Sequence, residues 1–287
     1  MAATRRLIVN ADDFGYSPLV NEGIIESIKK GIVRSTSALA NFPAIEEARY
    51  MFKEVERIAS IGIHFNLTEG RPVLPPKEVY SLVDRDGNLW GPRKFVYRLL
   101  EGRIKFSHMM KELNAQVGRL ISLGFSLSFF DSHQGLHYYF LCPLYFFAAI
   151  LIASKNGIFK MRSLNRHYIP LNRQDSPPRK YTHLPDLYRK ILWYICRRKF
   201  KMADRLIYFT EGAHSLKENH EVLFEIIENL ASGTNEVYFH PRYITTEQND
   251  YSKIAKMPNN DLITLTNPEI LKVIEEKKIS LISFKEL

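Results

Sequence analysis

Short apolar runs alternate along the chain with longer segments in which apolar residues recur at helical spacing. Residues 7–9 predict a short buried strand. Ser17 followed by Pro18 predicts a helix N-cap with proline in the first turn, and Gly31 closes a helix over about 18–30. The pattern then predicts a strand over 32–40, a helix over 43–52 and a strand over 58–67. After the loop EGRPVLPP and a turn at Asp86-Gly87 comes a strongly periodic helix over 108–123, closed by Gly124. A strand over 126–130, a helix over 143–155 opened by Pro143, a strand over 159–162 and a helix over 218–230 follow. The last elements are a strand over 237–239, a helix over 267–277 and a strand over 279–282. Strands separated by helices in this order predict an α/β fold with a parallel sheet covered by helices. No internal repeat or low-complexity tract interrupts the rhythm.

At 287 residues, 45% hydrophobic, the chain is long enough for a sizeable core, and its mean hydropathy of -0.21 fits a water-exposed surface. Two cysteines, Cys142 and Cys196, make no disulfide framework and suggest a reducing compartment. The opening MAATRRLIVNADD holds no apolar segment of signal-peptide length, so a cytoplasmic location is expected. The apolar run YYFLCPLYFFAAILIA is shorter than the roughly 20 residues of a spanning helix, and Pro143 interrupts it. It reads as a helix buried against the sheet.

The net charge of +9 favours acidic partners, whether nucleic acid, an anionic membrane or a phosphorylated substrate. The charge concentrates from Arg162 to Arg205, peaking in DLYRKILWYICRRKFKMADRLIYF. This basic, aromatic stretch reads as an insertion at about 165–206 within one domain spanning 1–287. One reading is a basic amphipathic helix on an anionic membrane, peripheral to its inner surface. The other is a surface helix with Leu, Trp and Ile packed inward and its cations in water.

Ionisable groups gather where the predicted strands end. Asp12 and Asp13 follow the first strand, His64 and Asn66 end IGIHFNL, and Asp131, His133 and His137 follow FSLSFF. Arg162 follows IFKM, and His240 follows EVYF. The carboxyl ends of parallel strands are where such folds place their chemistry. The adjacent Asp12 and Asp13 are either solvated turn residues or are held by something positive, because like charges at close range repel. Aspartate with two histidines suits a divalent metal with a position left open for water. Spacing alone does not select which histidines are ligands.

The stretches NADDFGYS, GIVRSTSALAN, GIHFNLTEGRPV, DSHQGLH and EVYFHP resemble the successive motifs of the YdjC-like carbohydrate deacetylase family, whose best-known members act on chitooligosaccharides. The resemblance covers nearly the whole chain. More loosely, EGRPVLPPKEVYSLVDRDGNLW resembles the branch associated with hopanoid biosynthesis. The resemblance implies a distorted, TIM-like (β/α) barrel in a single domain. It implies hydrolytic removal of an N-acetyl group from a sugar, chitooligosaccharide-like or lipid-linked, with one divalent ion, magnesium or zinc. By the family pattern, Asp13, His64 and His133 bind the metal, Asp12 is the general base and His240 the general acid. Arg162 would hold Asp12, with Asn66 and His137 near the substrate or behind the ligands. Tyr16 and Trp90 could stack on sugar rings as well as serve the core or surface. The resemblance permits a homodimer and implies no nucleic-acid partner. Two positions depart from the pattern: Gly135 stands where many members have another histidine, and Arg242 replaces the glycine of the late H-P-G motif. Two other readings remain open at this point, a non-catalytic glycan- or membrane-binding protein on the same fold and a metal-dependent hydrolase of another bond.

Overall fold

The computed structural model describes residues 4–168, 183–208, 215–246 and 255–287. Its elements, in chain order, begin with β1 (Arg5–Phe14), α1 (Pro18–Lys30), β2 (Ser35–Ala38), α2 (Ile45–Lys53) and β3 (Ser60–Phe65). Then come α3 (Pro92–Leu100), α4 (Phe106–Ser122), β4 (Leu127–Ser132), α5 (Pro143–Lys155) and β5 (Arg166–Tyr168). The chain continues through α6 (His183–Cys196), β6 (Arg205–Tyr208), α7 (Leu216–Glu228) and β7 (Gly233–Phe239). It closes with β8 (Tyr243–Thr246), β9 (Ala255–Pro258), α8 (Asn260–Leu265), α9 (Pro268–Glu276) and β10 (Ser280–Leu281).

Eight strands form one sheet in the order β4-β3-β2-β1-β7-β6-β5, with β10 added beside β1, and every pairing in it is parallel. Parallel strands need both faces covered, and the strands here are correspondingly apolar: Leu7, Ile8, Val9 and Ala11 of β1 are fully buried. The distorted barrel expected from the resemblance is met as a mostly parallel α/β sheet. Between β5 and β4 the described residues show single bridges, Phe130 to Met161 and Lys160 to Lys201, and no continuous ladder. The strand predicted at 159–162 is thus reduced to these bridges, and the chain pairs as β5 a few residues later. Local pattern also passes over α3, α8, β6 and the β8–β9 hairpin, which are short.

The caps follow the local chemistry. The Ser17 side chain accepts from the Val20 amide at the start of α1, and Ser215 makes a capping box with Glu218 at the start of α7. The C-terminal segment closes the end of the sheet opposite the site. Strand β10 pairs with Arg6 and Leu7, below the stretch of β1 that pairs with β2. Phe284 then stacks on Phe129, centroids 3.7 Å apart, and its amide donates to Ser35 and Ser60.

Residues 169–182 of the expected basic insertion lie outside the described residues. Within the described part, α6 packs Leu192 and Trp193 against the core, yet leaves Leu187, Ile191, Tyr194 and Ile195 exposed. The inward packing expected of its Leu, Trp and Ile is therefore only half correct: one face of α6 is left over once the other is buried. Among the described residues no helix is long and apolar enough to cross a membrane.

Gly62 of β3 faces Phe129 so closely that an added Cβ would stand 2.6 Å from the ring, and Phe284 blocks the ring's retreat. Gly62→Ala should cost about 1–3 kcal/mol by overpacking. Urea unfolding checks this; an unchanged midpoint would show that the stacked pair shifts freely.

Candidate functional site

Strand β1 delivers two adjacent carboxylates to one place. In a regular strand Asp12 and Asp13 would point to opposite faces. Here the register of β1 against β2 shifts between Ala11 and Phe14, and Asp13 takes φ 74, so the strand turns at its end. The local energetic cost is that of a non-glycine residue in the left-handed region. Asp12 stays on the strand face beside Asn10, whose side-chain amide donates to it at 2.7 Å. Asp13 swings toward the histidines.

Asp12 is buried and held by Arg162 in a two-pronged contact, Nη1 to Oδ2 at 2.8 Å and Nη2 to Oδ1 at 2.6 Å. The same guanidinium, 2% exposed, lies 2.9 Å from Asp131 and donates through Nε to Glu236 at 2.9 Å. One cation thus faces three buried carboxylates, which suits the forked donors of arginine. Burial alone would raise the pKa of Asp12, but Arg162, with His64 and His240, outweighs burial and brings it down to about 2. Burial wins at Glu236, whose carboxyl is pushed up to about 7 against the pull of Arg162 and the Ser163 amide.

The two histidines assigned by the resemblance converge on Asp13. His64 Nε2 lies 3.4 Å and His133 Nδ1 3.0 Å from Asp13 Oδ1, with the rings 5.4 Å apart. Each imidazole is held from behind by another carboxylate: His64 Nδ1 is 2.6 Å from Asp131 Oδ1, and His133 Nε2 is 2.8 Å from Glu69 Oε2. Tyr16 donates its hydroxyl to the other oxygen of Glu69 at 2.8 Å. This is the arrangement that orients histidine ligands in metal centres, one nitrogen inward and the other fixed by a carboxylate.

The donor atoms of Asp13, His64 and His133 all lie within 4.8 Å of one another, and one carboxylate with two imidazoles fits a divalent cation. A second grouping, Asp12, His64 and Asp131, is equally compact, but Arg162 already supplies its positive charge. The electrostatics agree with a cation position. Burial disfavours a charged His64, yet Asp131, Asp13 and Asp12 raise its pKa to about 10. His133 is likewise raised against burial by Asp13 and Glu69, while Asp13, despite burial, is driven well below the usual carboxylate range by the two histidines.

The remaining expected residues fall into distinct places. His240 is partly buried at the end of β7; its amide donates to Asp261 at 2.9 Å, and its ring acts electrostatically on Asp12 and Asp13. His137 is buried with Nδ1 2.5 Å from Ser132 Oγ, and burial pushes its pKa well below the ordinary value. It faces Ser132 and is not part of the Asp13 cluster. Asn66 braces its own loop, accepting from the amides of Thr68 and Glu69 and donating to Asn41. Trp90 is covered by Lys94 and Arg98, donates to the Ser81 carbonyl and packs, half-buried, against the core. Gly135 has φ 67, a backbone state that favours glycine over the histidine of the family pattern. Arg242 is exposed, and its charge reaches Tyr16 beside the centre.

Sequence reasoning gave no role to Glu69, Asp131 or Glu236. Asp131 and Glu236 stand inside or beside quoted motifs, and Glu69 follows Asn66 by three residues, so a carboxylate adjoining each histidine or arginine motif was the available signal.

The family model described as YdjC-like protein matches residues 6–276, and the chain belongs to that family. A carbohydrate deacetylase from Clostridium beijerinckii is 29% identical over 98% of this chain and 100% of that protein. One of the same name from Listeria monocytogenes is 30% identical over 98% and 100%. A solved structure from Enterococcus faecalis, provisionally named a cellobiose-phosphate cleavage protein, aligns over 99% of both chains with TM-score 0.74 and 27% identity.

Removing Arg162 leaves three carboxylates buried without their cation. Arg162→Met should cost about 3–5 kcal/mol in chemical denaturation, far more than a substitution at an exposed arginine such as Arg85. A loss below 1 kcal/mol would show that the carboxylates do not depend on it.

Proposed function

We propose that this member of the YdjC-like family is a metal-dependent carbohydrate N-deacetylase, hydrolysing the acetamide of an N-acetylated amino sugar. One observation carries the reading: Asp13, His64 and His133 converge, each imidazole is held by its own carboxylate, and Asp12 is clamped beside them. The names of the relatives, carbohydrate deacetylases, agree with it.

Asp13, His64 and His133 would hold the ion, which when bound supplies Lewis-acid polarisation of a carbonyl and an acidified water. Two imidazoles and a carboxylate suit zinc; magnesium would keep most of its waters on the same groups. Asp12 is ionised across the working range, with Arg162 and Asn10 fixing its direction. A carboxylate of such low pKa is a weak base toward bulk water, so its proton must come from an activated one. Accepting that proton, Asp12 makes the water a nucleophile toward the acetyl carbon. His240, whose ring acts electrostatically on Asp12 and Asp13, protonates the departing amine, and acetate and a free amino sugar result. Tyr16, exposed and fixed through Glu69, offers a ring for the sugar to stack on. The sugar is chitooligosaccharide-like or lipid-linked, and the whole chain forms one catalytic domain.

Acetate release from a panel of N-acetylglucosamine oligosaccharides and glycolipids tests this, with zinc or magnesium, with chelator, and with Asp12→Asn. The expected result is release that chelator abolishes and that Asp12→Asn lowers by roughly 10²–10⁴-fold. Tight metal binding with no acetate from any substrate would sink the reading. By isothermal titration, Asp13→Ala and His64→Ala should each weaken metal binding at least tenfold; unchanged affinity in either would remove that residue from the ligand set.

A further inference from the structure

Helix α6 has two apolar faces, and the fold uses one. Leu192, Trp193 and Cys196 face the core. On the other side Leu187 is 55% exposed, Ile191 50%, Tyr194 54% and Ile195 58%. At roughly 100° per residue these four fall within one arc of roughly 100°, a full amphipathic stripe pointing away from the protein. A solvated stripe of this size on a helix already packed on its other side marks an interaction surface.

The charge around the stripe identifies the partner. Lys190 lies on one flank of the stripe, and Arg197, Arg198 and Lys199 follow directly on the last helical residue, Cys196; all four are exposed. Arg197 stacks over Trp193 and Tyr194, at 4.6 and 5.2 Å, and Arg198 over Tyr194 at 5.5 Å, which fixes cations at the rim. Between Leu187 and Ala203 there is no acidic residue. A second copy of this chain is a poor partner, because a two-fold contact would set this cationic rim against itself. An apolar stripe with tyrosine, edged by arginine and lysine, matches the boundary between acyl chains and anionic headgroups. On the adjacent helix α5, Leu144, Phe147 and Leu151 are also exposed, and Tyr188 of α6 lies within electrostatic range of Cys142, the residue before α5.

We propose that α6 is an interfacial docking helix that seats the protein on an anionic phospholipid surface, its apolar stripe inserted and its rim cations on the headgroups. This stands independently of the deacetylase reading.

The test is flotation of the full chain with phosphatidylglycerol–phosphatidylcholine vesicles and with phosphatidylcholine vesicles. Expected is binding to the anionic vesicles, weakened by raised salt, and absent or much lower on the zwitterionic ones. Arg197→Gln with Arg198→Gln should lower the partition coefficient roughly thirty-fold, as two interfacial charges are removed. Leu187→Ser with Ile191→Ser should lower it at least tenfold with an unchanged melting temperature. If that pair unfolds, the arginine pair decides. No vesicle binding overturns the proposal, as does equal binding to both vesicles or binding that the arginine pair leaves unaltered. Self-association lost in the Leu187/Ile191 pair, with no vesicle binding, would assign the stripe to a dimer and equally overturn it.

Discussion

One buried guanidinium sets the terms for this site. Arg162 is almost fully enclosed and touches Asp12, Asp131 and Glu236 at once. Removing that many charges from water is expensive, and it is tolerated here because the fork of arginine meets each acid along its own hydrogen bond. The carboxylates still outnumber the cation. Burial, against the pull of Arg162, raises the pKa of Glu236 to about 7, and the acids around His64 raise its pKa to about 10.

That excess negative potential reaches the centre next door through Asp131, which contacts both Arg162 and His64. Asp131 is therefore the joint between the arginine network and the Asp13–His64–His133 cluster. It fixes the His64 ring with Nε2 toward Asp13, as Glu69 fixes His133 from the other side. The result is a pocket whose inward groups are two imidazole nitrogens and one carboxylate, surrounded by acids that cannot all be neutralised by the protein. Such a cluster suits a divalent cation. The clamped Asp12 stands beside it, and His240 lies close enough to act electrostatically on both Asp12 and Asp13.

The outer surface obeys a different constraint. A parallel sheet forces its crossover helices to bury one face each. In α6 and α5 the sequence is apolar beyond that face, and in α6 the excess lies among cations. The charged cluster at the strand ends and the apolar, basic stripe on the helical layer are separate features of one fold.

Much of the fold was legible in the sequence, because strand and helix periods are local consequences of backbone geometry. The runs at Leu7, Ile61 and Val237 are buried strands, and the cap at Ser17 and the first-turn Pro143 open helices where the spacing puts them. The placing of Asp12, His64, Asp131 and His240 at or beside strand ends followed from the same pattern. What the sequence could not determine was which charged groups meet. Arg162 and Asp12 are 150 positions apart, and Asp131 and His64 are 67 apart. Their pairing exists only once the strands lie side by side. The turn at Asp13 was also hidden, since a register shift is decided between neighbouring strands and not within one. The outward stripe of α6 was ambiguous for the same reason: apolar spacing shows that a helix has faces to bury, and only the packed structure shows which face is left in water.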